Sequence, residues 1–246
     1  MPTKPFNLLA MQLFHPISGQ LYSVLETEDL ILIPTNTSHI DALHETCFGN
    51  DITMENYANR EPQPYERTVA RCKDHEDRQK DGDPFHGFTI TKREGNQVIG
   101  LVNAAHGIDD KDGNRTPGNS ELGIIIHHEE WNKGYGTQAV TAVVQHYLPL
   151  LRAHGFETDG ALLTTASATV LKKDNPHSVT LLTGVYGGDQ MSDIIAYNPD
   201  PRFRIDMDVI EGRTPVSGFV SSKKFETDSK AALTPCLLYT SPSPRD

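Results

Sequence analysis

Two hydrophobic periods divide this chain. Apolar runs at Phe85–Arg93, Gln97–Ala105, Leu122–Ile126 and Ala161–Val170 read as strands. Glu94-Gly95-Asn96, between the first two, is hairpin chemistry. Period two is clearest near the end, where Phe203, Ile205, Met207 and Val209 alternate with Arg202, Arg204, Asp206 and Asp208. Ser192–Tyr197 is a second strand candidate there, and Asn198-Pro-Asp-Pro201 between the two is turn chemistry. Helical spacing takes over at Val140, Val143, Val144, Tyr147, Leu148 and Leu151. Tyr65–Arg78 reads as another helix. Strands interleaved with helices make this an α/β (α+β) chain.

The most telling stretch is Glu121–Leu151. A strand buried on both faces gives way to a polar link with Gly134 and Gly136 two residues apart, and then to the amphipathic helix. Such a link presents free backbone N–H groups at the positive end of a helix dipole, which suits a pyrophosphate. A nucleotide P-loop is excluded, because no G-x-x-x-x-G-K-[ST] occurs. Gly134–Ala139 fits the dinucleotide pattern G-x-G-x-x-A, but His127–Lys133 separates the strand from Gly134, where that fold needs the first glycine at the strand end. Glu157, near the place of a ribose-binding acid, precedes the next strand instead of closing it. A plain glycine-capped turn is the remaining alternative.

WNKGYG at Trp131–Gly136 resembles the [QR]-x-x-G-x-[GA] loop of the GNAT acyl-CoA N-acetyltransferase superfamily. It is most similar to the ribosomal-protein (RimJ/RimL) branch, where tryptophan often holds the first position. Leu25–Pro34 resembles that branch's "TERLxLRP" opening strand, with Asp29 in place of the usual arginine. Thr37–Thr46 resembles its first helix, with Thr37 or Ser38 as N-cap. Phe85–Arg93 and Gln97–Ala105 resemble strands two and three, with "VIG" at Val98–Gly100. Asp174-Asn-Pro-His-Ser178 resembles the "DNPxS" opening of the helix after strand five. The likeness is collinear from about Leu25 to Gly188. It implies the GNAT fold: a mixed, mostly antiparallel twisted sheet flanked by helices and splayed between strands four and five, closed by a terminal hairpin.

Bulk properties narrow the picture only a little. The chain has 246 residues, 37% of them hydrophobic, enough for one sizeable core. We divide it into an N-terminal extension (1–21), a GNAT domain (22–211), a polar, disordered tail (212–235) and a terminal segment (236–246). The extension reads as a short helix packed on the domain or as loose chain. The terminal CLLYTSPSPRD reads as a translated sequencing adapter. A net charge of −11 argues against nucleic-acid binding. Phe6–Phe14 is too short and interrupted to span a membrane. Cys47, Cys72 and Cys236 show no metal-ligand spacing and no paired framework, which points to a reducing, cytoplasmic setting. Asp109–Asn114 lacks the pattern of a calcium loop, and no metal is expected.

The resemblance implies an N-acetyltransferase that moves an acetyl group from acetyl-CoA to a primary amine by direct attack in a ternary complex. The acceptor would be a peptide N-terminus or a small-molecule amine, and the enzyme a monomer or homodimer. Backbone N–H groups of Asn132, Lys133, Gly134, Tyr135, Gly136 and Thr137 would hold the pyrophosphate, with the two glycines allowing close approach. The backbone of Ile124, Ile125, Ile126 and His127 would pair with the pantetheine arm, and the N–H of Ile125 or Ile126 would meet the thioester oxygen. Asn175 would contact the cofactor. Glu121 matches the acidic position of the "aELGY" motif and is the candidate base, or else an exposed strand-end acid. His127 and His128 are alternative bases, or strand-closing residues. Ser178 is the candidate acid, or a helix-start hydroxyl. Leu182 stands where many members carry tyrosine, and Val185–Gly188 replaces "LGF". Asp51–Asp83 would cover the acceptor groove. A non-catalytic acyl-CoA sensor is the competing function, and a dinucleotide-binding protein the less favoured one.

Overall fold

The structure, a computed structural model, describes residues 10–14, 21–57, 61–106, 117–171, 176–186, 191–196 and 207–215. Among the described residues the main sheet has nine strands: β1 (Ala10–Phe14), β2 (Leu21–Glu26), β3 (Leu30–Pro34), β4 (Gly87–Lys92), β5 (Val98–His106), β6 (Asn119–Ile126), β9 (Thr165–Leu171), β10 (Met191–Ala196) and β11 (Met207–Pro215). β7 (Glu157–Thr158) and β8 (Ala161–Leu162) form a separate ribbon. The order across the main sheet is β1-β2-β3-β4-β5-β6-β9-β11-β10. Every pairing is antiparallel except β6 with β9. Helices cover both faces, so the expected mixed, mostly antiparallel, helix-flanked sheet is present.

Several local expectations change. Ala10–Phe14, in the segment read as a helix or loose chain, is a strand paired with β2. The opening run Leu25–Pro34 breaks into β2 and β3, because Thr27 turns the chain: its N–H donates to the Leu30 carbonyl at 2.9 Å and its hydroxyl accepts from the Leu30 N–H at 3.0 Å. The first helix is capped by Asn36, not Thr37 or Ser38; its side chain accepts from Ser38 N–H while the His39 ring accepts from Asn36 N–H. That helix passes from a 3-10 turn (Thr37–His39) through α1 (Ile40–Leu43) to a π-turn (His44–Phe48). α2 (Asp51–Met54) and α3 (Tyr65–Lys80) follow. The Ala161–Val170 run divides at Leu163-Thr164 into β8 and β9. β11 extends through Gly212 to Pro215, past the expected start of the polar tail, because pairing with β9 satisfies its backbone whatever its side chains. Asp109–Asn114, Asn175, Asn198–Pro201, the Arg202–Asp206 part of the alternating run, and 236–246 lie outside the described residues.

One helical run covers the first face: α4 (Tyr135–Thr141), a π-turn (Ala142–Tyr147) and α5 (Leu148–Ala153). The π-turn lies directly before Pro149, which has no N–H to give and whose ring crowds the carbonyl four residues back. Val140, Val143, Val144, Tyr147, Leu148 and Leu151 are all fully buried, packed with Leu25, Leu32, Phe88, Ile90 and Leu122. The other face carries α1–α3, where Leu43, Cys47, Phe48, Met54 and Cys72 enclose Leu101 and Ile125. Side chains alternate across a strand. On β6, even-numbered residues therefore face the α4 side, and Glu121, Gly123 and Ile125 face α1–α3.

Two buried histidines at the start of β4 tie stability to pH. His75 accepts a hydrogen bond from Gly87 N–H at 3.0 Å, and His86 bonds the Gly87 carbonyl at 3.0 Å. Burial lowers both to a pKa of about 4. In the unfolded chain both titrate near ~6.5. Between those values the unfolded state binds more protons, so stability is full above about pH 6.5 and declines toward pH 4. We expect urea unfolding at pH 5 to show a loss of roughly 2 kcal/mol per histidine, or less, relative to pH 7. His75→Gln with His86→Gln should flatten that slope; an equal slope in the double variant would assign it to other groups.

Candidate active site

The parallel ladder between β6 and β9 is brief. Asn119, Ser120 and Glu121 pair with Thr165, Ala166 and Ser167, and there the pairing ends. On its other edge β6 remains paired with β5 up to Ile126–Gly100. This is the expected splay between strands four and five. Its register has a direct consequence. His127 N–H donates to the Ile99 carbonyl at 2.8 Å, so the backbone groups of His127 and Ile125 point toward β5. Those of Ile124 and Ile126 point away from β5, into the opening. Of the two expected oxyanion donors, Ile125 is thus committed to β5 and Ile126 is the one that faces the gap.

A cleft of about 630 Å³ occupies this opening. It brings together Ile124, Ile125, Ile126, Asn132, Gly134, Tyr135, Gly136, Thr137 and Ser178 from the expected set. Glu121, His127 and Lys133 are not in its lining. His127 Nδ1 bonds the Thr46 carbonyl at 2.8 Å, and its own carbonyl accepts from Glu130 N–H at 2.9 Å, so it seams β6 to the first helix. His128 N–H donates to Thr53 Oγ1 at 3.1 Å. Glu121 is half-buried at the point where β6 and β9 part. Asn175 is outside the described residues.

The loop between β6 and α4 is held by two side chains. Trp131 donates its indole N–H to the Ile126 carbonyl at 2.7 Å, fastening the loop to the strand end. Glu130, only 6% exposed, accepts from Lys133 Nζ at 2.9 Å and from Lys92 Nζ at 3.3 Å. Burial pulls its carboxyl upward, but the hydrogen bonds and charges of the two lysines prevail and hold it below the usual value. Lys133 therefore serves the loop. Asn132 (φ +62°) and Gly134 (φ +83°) both adopt left-handed backbone, and Gly134 is the N-cap of α4 without a side-chain cap. The first intrahelical bond runs from Gln138 N–H to the Gly134 carbonyl at 3.1 Å, so the N–H groups of Tyr135, Gly136 and Thr137 have no acceptor within the helix. They form an anion-binding end.

The two glycines have different reasons. Gly134 has open space around it but needs its left-handed φ. A Cβ on Gly136 would sit 2.7 Å from Leu181 Cδ1 on α6 (Pro176–Tyr186), so a larger residue there would require Leu181 to shift. Asp29, the departure from the opening motif, accepts from Gln138 Nε2 at 2.6 Å and so ties the β2–β3 turn to α4. Leu182 is buried in the core, as its apolar character requires.

Several lining side chains had no individual role among the expectations from sequence. Thr137, Thr141 and Gln145 form a polar i, i+4, i+8 stripe along the helix beside its apolar face, a signal legible in the sequence. Thr53, Asn56 and Tyr57 supply the opposite wall, and His177, Thr180, Gly184 and Val185 come from α6. Their meeting depends on tertiary packing. Among the described residues, no group of three or more His, Cys, Asp or Glu is placed to hold a metal, and no helix is long and apolar enough to cross a membrane.

The chain belongs to the GNAT family, whose acetyltransferase domain matches residues 29–175, and it is an acyltransferase. No curated protein matches it. Among solved structures it is similar to the RimL ribosomal-protein α-N-acetyltransferase (13% identity, TM-score 0.56, covering 82% of this chain and 99% of that one). It is also similar to a GNAT acetyltransferase from Bacillus anthracis (15%, 0.52, 77% and 95%). A third is the spermidine N-acetyltransferase of Vibrio cholerae, solved with CoA and spermine (16%, 0.52, 77% and 97%). At these identities the likeness is one of fold.

The Lys92–Glu130–Lys133 group gives a test of how the loop is held. Glu130→Ala leaves two lysines without their shared carboxylate and should cost roughly 1–3 kcal/mol in urea unfolding. A variant that unfolds at the wild-type midpoint would mean that Trp131 alone sets the loop.

Proposed function

We propose that this chain is an N-acetyltransferase of the RimJ/RimL branch, moving an acetyl group from acetyl-CoA to a primary amine by direct attack in a ternary complex. The observation that carries the reading is the cleft at the β6–β9 fork with the open N-terminus of α4 at its edge. Acetyl-CoA supplies the activated acetyl group as a thioester. Tyr135, Gly136 and Thr137 N–H groups, with the Asn132–Gly134 turn, hold the pyrophosphate. The outward backbone groups of Ile124 pair with the pantetheine arm, and Ile126, whose carbonyl is taken by the Trp131 indole, stabilises the oxyanion through its N–H. An alkylamine has a pKa near ~10 and is charged at neutral pH, so a base must take its proton. Glu121 fills that role from the α1–α3 face of β6, reaching the amine through water, since it stands beside the cleft and not in its lining. Ser178, in the cleft wall on α6, donates a proton to the leaving thiolate. The known ligands of similar folds agree: one relative is solved with acetyl-CoA and AMP and another with CoA and spermine.

Calorimetry with CoA, followed by thiol release on a panel of amines, tests the reading. Binding with turnover is expected. Binding without turnover on any amine would identify a sensor, and absence of CoA binding with tight NAD(H) binding would overturn the whole assignment. Gly134→Val forces a β-branched residue into left-handed backbone, and should weaken CoA at least tenfold, about 1.4 kcal/mol. Unchanged affinity in a folded variant would place the pyrophosphate elsewhere.

The side-chain roles have their own signature. Glu121→Gln should lower turnover and remove the low-pH limb of the rate profile with CoA affinity retained, and Ser178→Ala should lower kcat with little change in KM. Wild-type rates in both would leave positioning and backbone electrostatics as the mechanism.

A further inference from the structure

A second cavity, about 350 Å³, lies between α3 and the C-terminal end of β5. Its walls include Arg67, Arg71 and His75 from one side and Asn103 and Ala105 from the other. Its position relative to the β6 carboxylate follows from register. Ala105 pairs with Glu121 and Asn103 with Gly123, so all four project from the same face of the sheet, toward α3. The Asn103 side chain lies over Gly123, in the space a Cβ would take. The cavity therefore adjoins Glu121 on the side opposite the α4 face.

Its charge is unusual for a chain of net charge −11. Arg78, which also lines it, is matched by Asp74 at 2.9 Å and Asp83 at 3.7 Å. Arg67 and Arg71 have no carboxylate partner among the described residues. Arg71 is held in place by neutral groups: its guanidinium stacks 4.6 Å over the Phe48 ring and donates to Gln63 Oε1 at 3.3 Å. Its Nε is buried without a hydrogen-bond partner, as is Nε2 of His75. With His75 Nδ1 accepting from Gly87, the neutral ring carries its proton on Nε2, so both orphaned atoms are donors. Buried donors without acceptors are costly unless something fills the site. Two unneutralised guanidinium groups beside orphaned N–H donors call for an anion.

We propose that the amine acceptor carries an anionic group, a carboxylate or a phosphate, which Arg67 and Arg71 bind in this cavity while the amine lies toward Glu121. The inference rests on the acetyltransferase reading and adds the substrate class. Arg71 acts as the fixed fork, pre-set by Phe48 and Gln63. Arg67, exposed one turn earlier on α3, closes over the anion. Asp74, a carboxylate in the same lining, is paired with Arg78 at 2.9 Å, which leaves Arg67 and Arg71 for the anion.

The test uses the full chain and matched acceptors in a CoA-release assay. One pair is an Ala-Glu peptide amide against its Ala-Gln counterpart; the other is an amino-sugar phosphate monoester against the free amino-sugar. We expect at least one acidic member to be favoured tenfold or more in kcat/KM, mainly through KM, and the pair that shows it identifies carboxylate or phosphate. Arg67→Gln, on an exposed side chain, should bring that ratio close to one. Arg71→Met, checked for folding by circular dichroism, should do the same. Equal rates within both wild-type pairs would overturn the proposal and leave the acetyltransferase reading intact. So would an acidic preference that survives both substitutions, since the anion would then bind elsewhere. Release of CoA with no amine at all would instead defeat the acetyltransferase reading, and this proposal with it.

Discussion

The molecule depends on how the backbone groups of β6 are shared. One edge of the strand is used fully by β5, while the other is used by β9 for only three residues. Beyond Glu121 the groups facing β9 have no neighbouring strand, in the middle of a nine-stranded sheet where such groups are normally paired. A protein can leave that gap open only if something else meets it. Trp131 takes one of the exposed carbonyls, that of Ile126, and the remainder face the cleft. A ligand that carries amides along its length is the natural complement of such an edge.

Everything around the fork keeps it from closing. The loop after β6 is fixed by a buried carboxylate between two lysines, one of them on β4, two strands distant in chain order but adjacent through the packing. α6 packs against α4 with Leu181 beside Gly136, and it forms the far wall. On the opposite face, Thr53 on α2 accepts from His128 N–H and His127 bonds the Thr46 carbonyl of the first helix, which ties both segments to the strand end. The cleft is thus bounded by elements that touch one another, and the opening persists between them.

Much of this was legible in the sequence, for identifiable reasons. The helix over the first face was readable because its apolar positions recur at helical spacing, and all six are buried. The glycine loop was readable because left-handed backbone and close helix packing both demand glycine. At Gly136 the structure adds a neighbour that the sequence did not show: a Cβ there would meet Leu181 Cδ1 at 2.7 Å, and only the tertiary position of α6 reveals that. The N-cap was misplaced by one or two residues because Asn36, Thr37 and Ser38 are all competent caps, and backbone conformation decides among them. The strand at Ala10–Phe14 was missed because an edge strand needs no strong pattern when its neighbour supplies the hydrogen bonds. Register, which separates Ile125 from Ile126, is a property of the paired strands and not of either alone. The arginine pair on α3 stood in plain view as a mixed charged helix, and its meaning came only from what it faces.

The chain contains a single tryptophan, and that residue is Trp131. Its indole lies in the cleft wall with its N–H bonded to a strand-end carbonyl, next to the turn that starts α4. All indole emission from the protein therefore originates at one point on the rim of the fork. A molecule that settles there changes the water around that ring and the polarity it senses. The fold has, in effect, a built-in fluorophore at its own doorway, and occupancy of the cleft is written into the light the protein emits.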